Sequence, residues 1–356
     1  MRKSEIIGLM SGTSMDGLDI AHVEFEMNNQ NQWTFKLLHA ETLSYSPSFI
    51  SELNKAKTIN VPEFLILDKR IGSVFGEMVN KFIEKNNIDK SKIIAIASHG
   101  HTTYHQPERG FTSQIGCGDT LSFITKIPVI NDFRTKDVVA GGQGAPLVPI
   151  GDLLLFQTLA ESFLNLGGIA NISYKLNGIM IAFDICPANL PLNKLVSKLG
   201  YTYDKDGVIS KSGIINENLL VKLNNLNFYS QLPPKSLGTE WLEQHFNPLI
   251  NFNSEIENNL ATIIEHEAYQ ISKVLNSNKL KSVMITGGGA NNCYLIDRIK
   301  HYFDGDIVIP SENIIEFKEA IIFAFLGQLY LNRLENTLSS VTGASRNVIG
   351  GVYHIP

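Results

Sequence analysis

The sequence predicts an α/β protein built from two domains. Strand-like apolar runs recur in both halves of the 356 residues, and runs with helical spacing lie between them. A chain of this length is long enough for two domains that each bury their own core. A turn-rich junction, Ala140–Pro149, separates the two halves, and we expect the domain boundary there.

In the first half, paired strands come before the first long helix. A helix is expected from apolar residues that recur every three or four positions within Val61–Glu84, namely Phe64, Leu67, Ile71, Phe75, Met78 and Phe82. Strands are expected from short apolar runs bounded by turn residues. These runs are Ile6–Met10, Ile20–Glu26, Phe35–His39, Ile93–Ser98 and Pro128–Ile130.

The second half repeats this order of strands followed by helices. The expected strands are Phe163–Leu166, Ile172–Lys175, Ile179–Phe183, Val283–Thr286 and Ile307–Ile309. The expected helices are Asn189–Leu199, Ser254–Leu275, Asn292–Tyr302 and Phe317–Leu334. The segment between Tyr203 and Phe246 is interrupted by Asn and Pro, and it predicts only short helical pieces.

The composition excludes several classes of function. With 44% apolar and 18% charged residues, the profile is that of a soluble globular protein. A net charge of −5 and the lack of a long basic run argue against nucleic-acid binding. No stretch predicts a membrane span or a signal peptide. Three scattered cysteines, Cys117, Cys186 and Cys293, suit a reducing cytoplasm, and Cys186 lacks the neighbouring His that would activate a catalytic thiol.

Three glycine-rich turns predict a phosphate-binding protein. They lie in Met10–Asp19 (MSGTSMDGLD), Leu166–Asn171 (LGGIAN) and Thr286–Asn292 (TGGGANN), each after an apolar strand. Glycine lets backbone amides approach an anion closely, and a helix N-terminus adds a favourable dipole. The first two turns are also compatible with plain hairpins. Neither GxGxxG nor GxxxxGK[ST] is present, which argues against a dinucleotide fold and a Walker-type NTPase.

Several polar side chains are candidates for chemistry. Asp184 follows an apolar strand, where it is either a general base, a helix cap or a buried hydrogen-bond acceptor. Arg134 has a planar guanidinium that suits a ligand carboxylate, and the alternative is that it forms an ordinary surface salt bridge. His99, His101 and His105 have a spacing compatible with zinc, but no Cys or acidic partner follows closely, so hydrogen bonding to a ligand or packing is favoured.

Five motifs together resemble the anhydro-N-acetylmuramic acid kinases of the sugar kinase, Hsp70 and actin ATPase superfamily. They are MSGTSMDGLD, GGQGAPLVP, LNLGGIAN, TGGGANN and SVTGAS, in this order, and the resemblance runs from Ile7 to about Gly351. It implies two actin-like, ribonuclease H-like domains with mixed sheets flanked by helices, formed by residues 1–139 with 340–356 and by residues 140–339. These domains would surround a cleft that closes on ATP and sugar.

The resemblance also implies a reaction and a site. A cytoplasmic homodimer would use ATP and Mg²⁺ to open 1,6-anhydro-N-acetylmuramic acid with water and phosphorylate O6, giving N-acetylmuramic acid 6-phosphate in peptidoglycan recycling. Asp184 would be the general base, and His99, Arg134 and Glu319 would bind the sugar. Asp16 would hold Mg²⁺ directly or through water. The nucleotide-binding residues would be Gly12, Thr13, Ser14, Met15, Asp16, Gly17, Asp19, Gly167, Gly168, Gly287, Gly288 and Gly289.

The chain departs from the family pattern near two of these motifs. The usual DTGPGN is DICPAN here, with Cys186 and Ala188 in place of glycines, and Asn193 stands where an Asp is common. QIGD becomes QIGC, so Cys117 replaces the Asp and Asp119 follows two residues later. These departures leave two alternatives open: a kinase for another amino sugar, and a regulatory module that binds ATP without transferring phosphate.

Overall fold

The computed structural model describes residues 3–12, 15–30 and 32–356, and in it the chain divides into two compact units. Unit 1 comprises Met1–Leu155 and Phe317–Pro356, and unit 2 comprises Phe156–Glu316. The chain therefore passes between the units after Leu155 and again after Glu316. The boundaries expected at 139/140 and 339/340 stay predictions.

Both units contain strands and helices. The strands are β1 (Ser4–Ser11), β2 (Gly17–Met27), β3 (Trp33–Ser44), β4 (Ile93–Gln106), β5 (Phe111–Ile115), β6 (Val129–Asn131), β7 (Ser162–Leu166), β8 (Ile169–Leu176), β9 (Ile179–Pro187), β10 (Ser282–Thr286), β11 (Asp306–Val308) and β12 (Val352–His354). The helices are α1 (Pro47–Lys55), α2 (Val61–Lys85), α3 (Gly118–Thr125), α4 (Thr135–Val139), α5 (Val148–Gly151), α6 (Asn189–Val196), α7 (Val208–Ser212), α8 (Glu217–Asn224), α9 (Thr239–Trp241), α10 (Ile256–Ser277), α11 (Cys293–Tyr302), α12 (Glu312–Leu331) and α13 (Ser339–Thr342).

Five strands of each sheet share one strand order. In unit 1 the order is β12-β6-β4-β1-β2-β3, with β5 paired to β4, and in unit 2 it is β11-β10-β7-β8-β9. Each sheet has a three-stranded antiparallel meander, a fourth strand parallel to the first of the meander, and a fifth parallel to the fourth. This repeated, mixed arrangement confirms the predicted α/β class and the ribonuclease H-like pattern expected in both halves.

Small residues bring α12 against the sheet of unit 1. A Cβ on Gly8 in β1 would lie 1.9 Å from the carbonyl oxygen of Ala320, and one on Gly327 would lie 2.7 Å from Cβ of Ala97 in β4. The helix backbone therefore rests almost directly on the strands, and this contact fixes the position of Glu319, the neighbour of Ala320. The predicted helix α2 packs its apolar side chains into a core with β1 and β2.

In unit 2, α10 forms the centre of the core. Its buried face packs with residues of β7, β8, β9 and β10 and with helices α6 and α11. This burial follows the apolar periodicity that predicted the helix from Ser254 to Leu275. Among the described residues, no helix is long and apolar enough to cross a membrane.

Candidate active site

The first glycine turn connects β1 to β2 in unit 1. Thr13 and Ser14 lie outside the described residues. The Met15 amide donates to the Gly12 carbonyl at 3.3 Å, and Met15 has a φ of 58°, in the left-handed region. A Cβ on Gly17 would lie 2.4 Å from the Leu43 carbonyl oxygen, so this glycine is required by its packing against β3. Asp16 is exposed at the turn, where its carboxylate is free to face a ligand.

Asp19 is placed two residues into β2, beside this turn. It is half-buried, and it accepts a hydrogen bond of 2.6 Å from the Thr42 hydroxyl of β3. Burial raises its pKa, the Thr42 bond opposes that change, and the charge of Asp16 raises the pKa further. Asp16 and Asp19 together provide the oxygen donors that a hard cation such as Mg²⁺ prefers.

The end of β1 is fixed by a buried hydrogen-bond cluster that the sequence did not predict. Ser11 Oγ lies 3.0 Å from Nδ1 of His101 in β4, and the Tyr45 hydroxyl donates to Ser11 Oγ at 2.7 Å. Burial lowers the pKa of His101, with the charge of Lys57 acting in the same direction. The cluster joins three chain segments directly before the glycine turn, so it holds the start of that turn in place.

His99 and Arg134 form a direct pair in unit 1. Arg134 donates from Nε and Nη2 to Nε2 of His99 at 3.2 and 3.0 Å, and from Nη1 to the Gly144 carbonyl at 2.7 Å. Burial and the charge of Arg134 lower the pKa of His99 well below its usual range, so the ring is neutral and Nε2 accepts. His99 is buried and Arg134 is half-buried, so this contact is not the ordinary surface salt bridge that the sequence left open as an alternative.

Arg134 retains donors for a further ligand. A guanidinium has five N–H groups, and its three bonds to His99 and Gly144 leave one on Nη1 and one on Nη2 without a partner among the described residues. These two groups suit a bidentate carboxylate. Burial lowers the pKa of Arg134 to about 10, and the charges of Glu319 and Asp137 oppose this change, so the group stays a cation at neutral pH.

Glu319 completes the charged group of unit 1. Its side chain keeps contact with solvent, but the surrounding protein removes enough hydration to raise its pKa. The charge of Arg134 opposes that rise, and the charge of Asp19 adds to it. Glu319 therefore lies close enough to both Arg134 and Asp19 to interact with their charges, and His99 is bonded to Arg134. The structure brings together in unit 1 four of the residues selected from the sequence.

In unit 2, the other two glycine turns lie side by side. Gly167 and Gly168 form the turn from β7 to β8, and their carbonyls accept the amides of Asn189 and Leu190 at the start of α6. Gly287 follows β10 with a φ of 82°, and a Cβ there would lie 2.6 Å from Oδ1 of Asn165. Only glycine fits this position without strain.

Asn189 links the two turns of unit 2. Its side chain donates to the Leu166 carbonyl at 3.0 Å, while a Cβ on Gly289 would lie 3.4 Å from its Oδ1. Gly288 is exposed, and a Cβ there would meet Nδ2 of Asn189 only at 3.9 Å, so its backbone is accessible to a ligand. Asn189 is the last residue of the DICPAN segment, and its role in this contact was not predicted.

Asp184 lies in β9 beside an irregular position of the sheet. The pairing of β8 with β9 shifts between Ala170 and Asn171, which leaves Ile185 as an extra residue directly after Asp184. Asp184 is half-buried, and its Oδ2 accepts the Leu237 amide at 2.8 Å. Burial raises its pKa and the Leu237 bond opposes the rise. It does not cap α6, whose N-cap is Ala188.

Most of the residues that differ from the family motifs lie in the core. Cys186 and Ala188 have almost no exposed surface, so their side chains point away from any ligand at the DICPAN turn. Burial raises the pKa of Cys186 well above its usual range, which makes it a poor nucleophile. Cys117 precedes α3 and accepts a hydrogen bond from Lys69 Nζ at 2.8 Å, while Asp119 contacts His354.

The histidines of β4 serve as hydrogen-bonding residues. His101 contacts Ser11, His99 contacts Arg134, and His105 contacts Thr112 at 3.0 Å. Among residues 3–12, 15–30 and 32–356, no group of three or more His, Cys, Asp or Glu side chains is placed to bind a metal ion. Asp16 as a Mg²⁺ ligand therefore stays a prediction.

Comparison with known proteins gives a full-length match. The family model described as anhydro-N-acetylmuramic acid kinase matches residues 4–355. Similar curated proteins of that name come from Shewanella loihica, 36% identical with 99% of each chain covered, and from Sulfurimonas denitrificans, 34% identical with 98% of each covered. The one from Francisella tularensis subsp. novicida is 34% identical, with 97% of each covered.

Solved structures resemble the chain more distantly. The activator of the 2-hydroxyisocaproyl-CoA dehydratase from Clostridium difficile aligns with a TM-score of 0.44 and 12% identity, covering 92% of this chain and 97% of that one. The ROK hexokinase from Thermus thermophilus aligns with a TM-score of 0.42 and 12% identity, covering 91% and 99%. Matches this distant say nothing about the reaction.

Proposed function

Because the chain belongs to the anhydro-N-acetylmuramic acid kinase family, we propose that it phosphorylates 1,6-anhydro-N-acetylmuramic acid at O6 with ATP. The ring is opened by water in the same reaction, and the product is N-acetylmuramic acid 6-phosphate. The observation that carries this proposal is the placement of Asp184, a half-buried carboxylate held by a backbone amide beside a bulge in β9. Such a group suits a general base.

Asp184 would act on the attacking water. The water oxygen bonds to C1 of the sugar while the bond from C1 to O6 breaks, and Asp184 takes the water proton. O6 then bonds to the γ-phosphorus of ATP as the bond to the ADP oxygen breaks, so atoms and charges balance. The raised pKa of Asp184 makes it a stronger base than a fully hydrated aspartate, provided that it is ionised at the working pH.

The residues of unit 1 would bind the sugar. The two free N–H groups of Arg134 fit the lactyl carboxylate that distinguishes a muramic acid from other amino sugars. Neutral His99 fixes the guanidinium through its ring nitrogen, so the fork is held in one orientation. Glu319 is exposed and close to Arg134, so its carboxylate is available to accept a hydrogen bond from a hydroxyl or amide group of the sugar.

The glycine turns would bind the nucleotide. Residues 12–19 of unit 1 are assigned to the phosphates, with Asp16 and Asp19 as the carboxylates suited to Mg²⁺. In unit 2, Gly167 and Gly168 are assigned to a second nucleotide-binding hairpin, and residues 287–289 are assigned to the nucleoside. Bound Mg²⁺ supplies neutralisation of phosphate charge. We place the enzyme in the cytoplasm, as a homodimer in peptidoglycan recycling.

The altered DICPAN segment does not favour a silent regulatory module. Cys186 and Ala188 are buried, so their side chains fill the core and are not part of the exposed surface at Asp184. Asp184 itself keeps contact with solvent. The residues needed for transfer are therefore present, and this supports an active kinase.

The test is the mass of the product. The protein is incubated with Mg-ATP and 1,6-anhydro-N-acetylmuramic acid, and the sugar is analysed by mass spectrometry. We expect a gain of one phosphoryl group and one water. A gain of phosphoryl without water would contradict the ring opening. No product from this sugar, with transfer to another amino sugar, would contradict the substrate assignment.

A further inference from the structure

Residues 235–237 run along the free edge of the unit 2 sheet at Asp184. β9 is the last strand of that sheet, so within the described part of the chain no strand pairs with its outer side. The Asp184 amide donates to the Lys235 carbonyl at 3.1 Å, and the Leu237 amide donates to Asp184 Oδ2 at 2.8 Å. This segment therefore bonds both the backbone and the carboxylate of Asp184.

The side chain of Lys235 ties this segment to residues that precede it. Lys235 Nζ donates to the Phe228 carbonyl at 3.1 Å and lies 4.4 Å from the centroid of the Phe228 ring. A charged ammonium group stabilises both kinds of contact, a hydrogen bond to a carbonyl and a cation–π contact with an aromatic ring. They close residues 228–235 into a loop whose two ends are joined by one side chain.

The start of the loop is held by the core of unit 2. Phe228 is buried and packs against Trp241 at a centroid distance of 5.4 Å. The Tyr229 hydroxyl bonds Nε2 of His266 in α10 at 2.8 Å, and burial lowers the pKa of His266 to about 3, so the ring is neutral and accepts. His266 Nδ1 in turn donates to Asn224 Oδ1 at 2.7 Å. A continuous series of bonds thus runs from α10 to the loop.

We propose that Lys235 is a positioning residue of the reaction, which holds residues 235–237 so that the Leu237 amide orients the carboxylate of Asp184. This inference rests on the proposed role of Asp184 as general base. Lys235 acts through the backbone and needs no contact with the substrate. Leu237 N–H stabilises the ionised carboxylate, so loosening the segment raises the pKa of Asp184 and also misdirects its oxygen.

The test compares Lys235→Met with Lys222→Met, a matched change at an exposed lysine on α8 of the same unit. We expect Lys235→Met to lower kcat by about tenfold, roughly the factor that one charge-assisted hydrogen bond contributes. In the pH profile of kcat for Lys235→Met, the fall in activity on the acid side should occur at higher pH than in the wild type. KM for ATP should be unchanged. Lys235→Arg, which keeps the cation and its donors, should return the wild-type profile.

A second measurement follows Asp184 itself without turnover. The ¹³C resonance of the Asp184 carboxyl is titrated in the wild type and the variants, with Asp184→Asn used for assignment. A midpoint at higher pH in Lys235→Met than in Lys222→Met supports the proposal. Equal midpoints and equal kcat would overturn it. If Lys235→Met does not fold, Lys235→Gln is compared with Lys235→Arg by the same criteria. An inactive wild type would contradict the proposed function, and the titration would still decide the role of Lys235.

Discussion

Because of Glu267, we expect the free energy of unfolding of unit 2 to fall as pH rises. It lies in α10 with no exposed surface, and within the described part of the chain neither carboxyl oxygen has a hydrogen-bond partner. An ionised carboxylate in such a place is strongly unfavourable. Burial therefore raises the pKa of Glu267 well above its usual 4.5, so the folded protein keeps this proton to a higher pH than the unfolded chain does.

The size of the effect follows from proton linkage. Above about pH 4.5 the unfolded chain loses this proton and the folded chain retains it, so the unfolded state binds fewer protons and the free energy of unfolding falls as pH rises. One proton contributes a slope of about 1.4 kcal/mol per pH unit. Between pH 5 and 7 the wild type should therefore lose up to about 3 kcal/mol of stability, a loss that Glu267→Gln should not show.

The assay is urea unfolding at pH 5, 6 and 7. A Trp33→Phe background leaves Trp241, which packs in unit 2, as the only tryptophan. Slopes are compared rather than absolute values, because the cost of burying the Gln amide does not change with pH. Glu257→Gln, at an exposed position of the same helix, is the control and should keep the wild-type slope. Parallel slopes for the wild type and Glu267→Gln would refute the reasoning.

Three further predictions concern the site. Arg134→Ala should raise KM for the muramic sugar by roughly 10- to 100-fold, the range for a charge-assisted bidentate contact, and leave KM for an analogue without the lactyl group unchanged; equal losses for both sugars would contradict carboxylate binding. Activity should fall as pH drops through the raised pKa of Asp184, because the base must be ionised, and a rate that stays constant below pH 5 would argue against this base. Gly287→Ala should weaken ATP binding measured by calorimetry, because the new Cβ would meet Asn165. Gly178→Ala is the control, since Gly178 has a similar positive φ and open space around it. Equal ATP affinities for the two variants would exclude Gly287 from the nucleotide site.

Local patterns predicted the elements that have their own periodicity. Helix α2 was predicted from its apolar spacing, and the hairpins β1-β2 and β7-β8 from apolar runs around glycine turns. β4 extends to Gln106, beyond the expected end at Ser98, because its polar residues pair with β5. A strand composed largely of His and Thr gives no apolar pattern, so this extension was missed.

The contacts that orient the site residues depend on tertiary structure. Leu237 lies 53 positions from Asp184, and His99 lies 35 from Arg134, so no local pattern joins either pair. The prolines directly before residue 235 predict a loop there, but they do not predict that this loop contacts Asp184. Motifs therefore located the candidate residues, and only the fold supplied their hydrogen bonds.

Replacement of Asp184 tests the account most directly. Asp184→Asn keeps the shape of the side chain and removes its basicity, so ATP affinity should stay at the wild-type level while formation of the phosphorylated, water-added sugar falls by about 10²- to 10⁴-fold. Nucleotide affinity by calorimetry and product by mass spectrometry are measured on the same preparation. A variant that binds ATP normally and still forms this product within tenfold of the wild-type rate would contradict the central claim.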